Sequence, residues 1–237
     1  MIENLNELKN ADIKLVEPDH RYVLGSNKNI NFKSVTEIVD EQFEPFEKVR
    51  IATKLVTRFR KYRGYTVKSL INEWDLARDR GSYIHKELEN YIEKGVQPDS
   101  SRGSMGAEWL DNNINNYGDK IYTELIVFDE ELQIAGTIDL LVFNSKKKEC
   151  YLFDWKTNKK IDYEGYRGQK GITSASYNLD DCRYSKYCLQ TSLYKYLLEK
   201  RFNIILKNTY LIHLTGYYDV DIIKTKYLED NLLEMIR

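Results

Sequence analysis

A mixed α/β domain with a helical N-terminal portion is the fold class the sequence predicts, and three observations predict it. Apolar residues recur at helical spacing up to about residue 117, the pattern then changes to β-rich runs, and a helix, a strand and a helix close the chain. A length of 237 residues suits one domain with a substantial core. With 42% hydrophobic and 31% charged residues the composition is that of an ordinary globular protein, and the aromatic share of 13% argues against disorder.

Each element has its own signal. Residues 21–25 read as a short extended segment, and Ser34-Val-Thr-Glu37 reads as a capping box that opens a helix. Residues 43–62, 67–77 and 81–93 have helix-compatible spacing. In the last of these Ile84, Leu88, Tyr91 and Ile92 recur at three and four residues, and Gly95 is the stop. Residues 104–117 form a further candidate helix. Residues 121–128, 132–143 and 150–155 are β-rich runs separated by polar turns, which predicts an antiparallel meander. Residues 157–183 are polar and Gly-bearing, and a loop of that length is functional or contains a small hairpin. Residues 184–200 form a helix, residues 204–217 contain a strand, and residues 225–237 end in a helix.

Cys150, Cys182 and Cys188 are three in number and lack CxxC spacing. They supply neither the four thiolates of an iron–sulfur cluster nor an all-cysteine zinc site, and they read as reduced thiols. The charged N-terminus lacks the apolar stretch of a signal peptide, and no apolar run approaches the ~18 residues of a membrane span. An intracellular protein with no membrane contact is expected.

The sharpest chemical segment is Tyr151-Leu-Phe-Asp-Trp-Lys-Thr157. Asp154 and Lys156, two apart on a strand, leave the same face of the sheet. Asp139 sits in the middle of the apolar run Ala135-Gly-Thr-Ile-Asp-Leu-Leu-Val142, where an unpartnered charge is costly. Two such aspartates on adjacent strands need a positive partner: a hard divalent cation, or Lys156 in a structural ion pair. His85 lies at a helix start, where it is either a packed side chain or a metal ligand. Lys186, Gln190 and Tyr194 are spaced one helical turn apart beside the apolar stripe of Leu189, Leu193 and Leu197. That row is a solvated flank or the wall of a site.

In chain order, Gly81…His85, Glu124, Gly136-Thr-Ile-Asp139, Asp154-Trp-Lys156 and Gln190…Tyr194 resemble the motifs of the PD-(D/E)xK nuclease superfamily, specifically its RecB-like exonuclease branch. The resemblance spans about half the chain, from Gly81 to Glu199. It implies a restriction-endonuclease-like core of order αβββαβ with a mixed sheet at residues 81–237, and a helical N-terminal elaboration at residues 1–80. It implies Mg²⁺ or Mn²⁺ held by His85, Asp139, Asp154 and the backbone carbonyl of Trp155, with Asp139, Asp154 and Lys156 as the catalytic set. Glu124 stands beside the metal rather than on it, and Gln190 and Tyr194 position the DNA. Members of this branch that carry an iron–sulfur cluster use one early and three late cysteines. No cysteine precedes Cys150, so no cluster is expected, and the implied relatives are the phage and mitochondrial single-strand exonucleases.

Net charge first argues against a nucleic-acid partner, since 36 basic and 37 acidic residues leave −1. The average conceals a segregation. Residues 48–72 contain no acid and eight cations, so the rest of the chain carries −9. Lys54, Arg58 and Lys61 fall on one helical face, interleaved with Phe59, Tyr62 and Tyr65. Cations with aromatics track phosphates and stack bases of a single strand; the other reading of the segment is a solvated basic helix. The resemblance, with this basic segment as a strand guide, implies a Mg²⁺- or Mn²⁺-dependent deoxyribonuclease, an exonuclease acting from single-stranded DNA ends. Two other readings are a catalytically idle nucleic-acid-binding subunit, and a structural protein whose Asp–Lys pairs are buried salt bridges.

Overall fold

The computed structural model describes residues 2–17, 19–216 and 219–237. The first elements are helix α1 (Ile2–Lys9), an antiparallel hairpin of β1 (Ile13–Val16) and β2 (Arg21–Leu24), the two-residue β3 (Lys33–Ser34) and helix α2 (Val35–Asp40). Helices α3 (Lys48–Arg58), α4 (Val67–Lys94) and α5 (Ser101–Asn113) follow, then the meander of β4 (Lys120–Asp129), β5 (Ile134–Asn144) and β6 (Glu149–Lys156). Helix α6 (Arg183–Phe202), β7 (Leu206–Leu214), β8 (Val220–Lys224) and α7 (Glu229–Met235) complete the chain.

A mixed sheet of six strands forms the centre. β4, β5 and β6 pair antiparallel in sequence, as the β-rich runs predict. β6 pairs parallel with β7, and β7 pairs antiparallel with β8. Alternate residues divide the sheet into two cores. Leu141, Phe143, Cys150 and Leu152 pack with Leu189, Leu193 and Leu197 of α6, while Leu140, Val142, Phe153 and Trp155 pack with Ile84 and Leu88 of α4 and Trp109 of α5. The sheet therefore lies between α6 on one face and α4 with α5 on the other. No helix among the described residues is long and apolar enough to cross a membrane.

Several elements differ from the sequence reading. Residues 67–77 and 81–93 belong to one 28-residue helix, so the division between residues 80 and 81 falls inside α4. That helix starts at a reciprocal box of Thr66 and Ser69 and stops at Gly95, whose φ of 67° is open to glycine without penalty. Residues 43–62 do not form one helix. Helix α3 begins after Pro45, and Phe59 is extended (φ −116°, ψ 122°) before a separate 3₁₀ turn, Arg60–Tyr62. Lys54 and Arg58 share a helical face, but Lys61 is not on it.

The N-terminal portion is not purely helical either, since it contains the hairpin and β3. It also shares the main core: Leu5, Val35 and Phe43 pack in the same cluster as α6. Ser34 Oγ accepts from the Glu37 amide at 3.1 Å, as an N-cap should. The strand within residues 204–217 is β7, and Tyr217 lies outside the described residues; β8 had no separate sequence signal. The loop at residues 157–183 holds a 3₁₀ turn (Tyr166–Gly168) and a single bridge between Lys170 and Asp180. It is pinned to the end of α2, where the Gln42 carbonyl accepts from Ile172 N and Ser176 Oγ.

Candidate active site

The candidate site stands where β5 and β6 part. Their pairing ends at Leu140 opposite Phe153, so Asp139 and Asp154 face each other one rung beyond it. From there β6 stays with β7 through Lys156, paired with His213. On the same edge of β5, the short β3 takes over at Ile134 and Ala135. Residues 136–139 thus border a gap in the sheet. Trp155 N, released from the ladder, donates to Asp139 Oδ2 at 2.8 Å. Glu124 extends the row on β4, between Thr123 opposite Leu140 and Leu125 opposite Ile138. Its φ of 47° is a left-handed conformation that costs a non-glycine residue on the order of 1 kcal/mol.

Two helices bring the remaining groups. His85 of α4 places Nδ1 3.4 Å from Asp139 Oδ1. Gln190 of α6 directs Nε2 to Asp154 Oδ1 at 3.4 Å and to Tyr194 OH at 3.1 Å. Lys156 Nζ lies 2.5 Å from Asp154 Oδ2 and 3.3 Å from Gln190 Oε1, with the Tyr187 ring centre at 4.1 Å. All of these but Asp154, which lies buried behind Lys156, line a cleft of about 490 Å³ whose other sides include Tyr22 of the hairpin, Thr36 and Arg78. Gly136 in the Gly-Thr-Ile-Asp motif is small for a packing reason: a Cβ there would stand 2.7 Å from Tyr194 Cε1 and 2.8 Å from Val35 Cγ2.

Electrostatics follows from crowding three acids in one row. Burial pushes Asp154 up, and Lys156 only partly offsets this. Burial also opposes ionisation of Asp139, yet His85, Lys156 and the Trp155 amide together hold it below the usual carboxylate range. Burial by itself would lower the His85 imidazole, but Asp139 and Asp154 outweigh it and raise it to about 8. Burial and the neighbouring Asp139 and Glu89 push Glu124 up to about 7. Glu124 keeps an exposed outer side, and that side screens the repulsion.

The structure thus gathers His85, Glu124, Asp139, Asp154, Trp155, Lys156, Gln190 and Tyr194, residues from five elements. It does not bring Lys186 to them. Although one turn before Gln190, the Lys186 ammonium turns to Asp181 (3.3 Å) and the Phe43 ring (4.8 Å). Lys54, Arg58 and Lys61 are exposed on α3 and the 3₁₀ turn and do not line the cleft. Sequence reasoning missed Tyr22, whose hydroxyl lies 3.0 Å from Thr137 Oγ1, and Tyr187. Tyr187 had a signal, three residues before Gln190 on the same helix.

Two carboxylates, an imidazole and a backbone carbonyl are donors suited to Mg²⁺ or Mn²⁺. Asp154 Oδ2 is buried against the Lys156 ammonium, so a cation already stands where a divalent ion would bind. As the side chains stand, no three His, Cys, Asp or Glu groups among the described residues converge as a metal site, since Asp154 is turned to Lys156. The donor chemistry fits a divalent cation, and the grouping requires Asp154 to turn from its lysine.

Fold and cleft define a mixed α/β protein with an acid–lysine cluster at a strand fork. No family model matches the chain. No curated protein matches it either. Among solved structures it is similar to a crystal structure from Eubacterium rectale named as a candidate exonuclease. The TM-score is 0.38 at 13% identity, over 86% of this chain and 77% of that one. A likeness of that degree adds nothing to the chemistry argued from the cleft.

Proposed function

We propose that this chain is a metal-dependent deoxyribonuclease that uses Mg²⁺ or Mn²⁺ and works as an exonuclease from single-stranded ends. The carrying observation is the facing pair Asp139 and Asp154 at the fork, with Lys156 and Gln190 touching Asp154. A divalent cation, when bound, supplies charge that polarises a phosphate and acidifies a water. Asp139 and Asp154 would hold it with the Trp155 carbonyl and His85. The chain's own part is then positional: Lys156 presents a compact ammonium to the scissile phosphate, and Gln190 with Tyr194 fixes the strand beside it. Residues 1–80 are proposed as the strand-guiding region. Lys54, Arg58, Arg60, Lys61, Arg63 and Lys68 have no ion-pair partner among the described residues, and Phe59 and Tyr65 are exposed beside them.

The contact of Lys156 with Asp154 favours a second reading, in which both charges are already satisfied and the chain is an idle nucleic-acid-binding subunit. One assay separates the two. End-labelled single- and double-stranded DNA is incubated with the protein and Mg²⁺, Mn²⁺ or EDTA, beside Asp154→Ala and Lys156→Ala. Cleavage that needs metal and falls by at least about 10²-fold in both variants supports the nuclease. Binding without metal-dependent cleavage supports the second reading. Cleavage in EDTA overturns the mechanism.

A further inference from the structure

The backbone that follows Lys156 is held from two sides. The Thr157 carbonyl accepts from Arg102 of α5 at 2.8 Å, and the Asn158 carbonyl accepts from His213 Nε2 of β7 at 2.7 Å. His213 is only 4% exposed, and Asp221 of β8 stands 3.3 Å from its Nδ1. Asn158 Oδ1 in turn accepts from Tyr187 OH at 2.7 Å. The Tyr187 ring is the surface on which the Lys156 ammonium rests, 4.1 Å from its centre. A polar ring buried at a strand position adds no packing that an aliphatic residue would not, so its hydrogen bonds give its reason for being there.

Lysine is a point charge on a four-carbon stem, and nothing in the stem itself selects one direction. Its ammonium has three donors, and here three partners surround it: Asp154, Gln190 and the face of Tyr187. Asp154 and Gln190 meet the ammonium directly; the Tyr187 ring is set through Asn158, which also lines the cleft, and through His213, which does not. Lys156 and His213 are register partners on adjacent strands, so the chain of contacts leaves the lysine through Tyr187 and returns to its own rung.

We infer that Tyr187, Asn158 and His213 are positioning residues that set where the Lys156 ammonium stands. The inference rests on the proposal that Lys156 acts on the phosphate. Its test measures single-turnover cleavage of an end-labelled single-stranded oligonucleotide with Mn²⁺, and affinity for the same oligonucleotide in EDTA. Tyr187→Leu and His213→Leu should each slow cleavage about tenfold or more while affinity stays within about twofold, because a misplaced group costs rate rather than binding. His213→Gln, whose amide N–H can reach the same carbonyl, should recover most of the rate. A second readout is the NMR shift of the Lys156 ε-methylene, moved upfield by the Tyr187 ring and assigned with Lys156→Arg. It should relax towards the free-lysine value in His213→Leu. Should His213→Leu fail to fold, Tyr187→Phe, which keeps the ring and loses the bond to Asn158, takes its place in both measurements. Wild-type rates in the leucine variants, with cleavage abolished by Lys156→Ala, would overturn the positioning role and leave the nuclease intact. A wild-type protein inert with every metal would sink the nuclease, and the methylene shift alone would then decide the positioning: its loss in His213→Leu supports it, and its persistence refutes it.

Discussion

Three carboxylates on one rung of a sheet repel one another, and each is relieved differently. Asp154 has Lys156, Asp139 has His85 and an amide, and Glu124 has neither. Glu124 binds its proton more tightly folded than unfolded, since its pKa is raised from 4.5 to about 7. Its contribution is therefore full below pH 4.5 and lost as pH rises towards 7. Glu124→Gln should leave stability in a denaturant melt unchanged below about pH 4.5 and raise it at pH 8, by no more than about 1 kcal/mol because solvent reaches the residue. His85 is likewise raised, from 6.5 to about 8, so its pairing with Asp139 stabilises fully below pH 6.5 and fades by pH 8. A pH series of thermal melts on His85→Gln should therefore converge with wild type at the alkaline end. Asp154 and Lys156 were legible in the sequence because a two-residue spacing on a strand determines the face by itself. Tyr22 and His213 were not, because their partners are distant in sequence and only the tertiary fold selects them.

At the scale of elements, the fork makes the site and Gly136 keeps it open. Val35 at the start of α2 and Tyr194 of α6 meet over β5 with no room for a methyl group. Gly136→Ala should cost about 1–3 kcal/mol in a denaturant melt. It should also displace Tyr194 and release the amide of Gln190 towards solvent. Helices and long strands were legible because ten or more residues repeat a period several times. The hairpin of β1 and β2 escaped because four-residue strands give too few positions to establish alternation. The break at Phe59 escaped because the basic run hides where the helix geometry ends. The bend moves Lys61 off the face of Lys54 and Arg58, and the basic segment becomes an elbow.

Across the whole molecule, charge is sorted. Residues 48–72 carry eight cations and no acid, and seven of the eight are exposed. Replacing Lys54, Arg58 and Lys61 by Glu should weaken binding of short single-stranded DNA. It should also flatten the plot of log affinity against log salt by about 2, at ~0.7 for each phosphate that no longer meets a cation. Unchanged affinity would remove the elbow from the binding surface. The order of elements and the contents of the cleft were largely readable, because motif order survives folding. The boundary at residues 80 and 81 was not, because continuity of a helix through a glycine depends on what packs around it.

The cleft and the loop beside it are held by partners far apart along the chain: Tyr22 meets Thr137 across 115 residues, and Gln42 meets Ser176 across 134. Such closure makes the site a late event in folding. During synthesis the hairpin and α2 are made first and must wait for a strand and a loop that emerge well over a hundred residues later. Helix α6, which supplies Gln190 and Tyr194, emerges later still. A half-made chain therefore carries its basic elbow before it carries a cleft, and any binding it does precedes any cutting it can do.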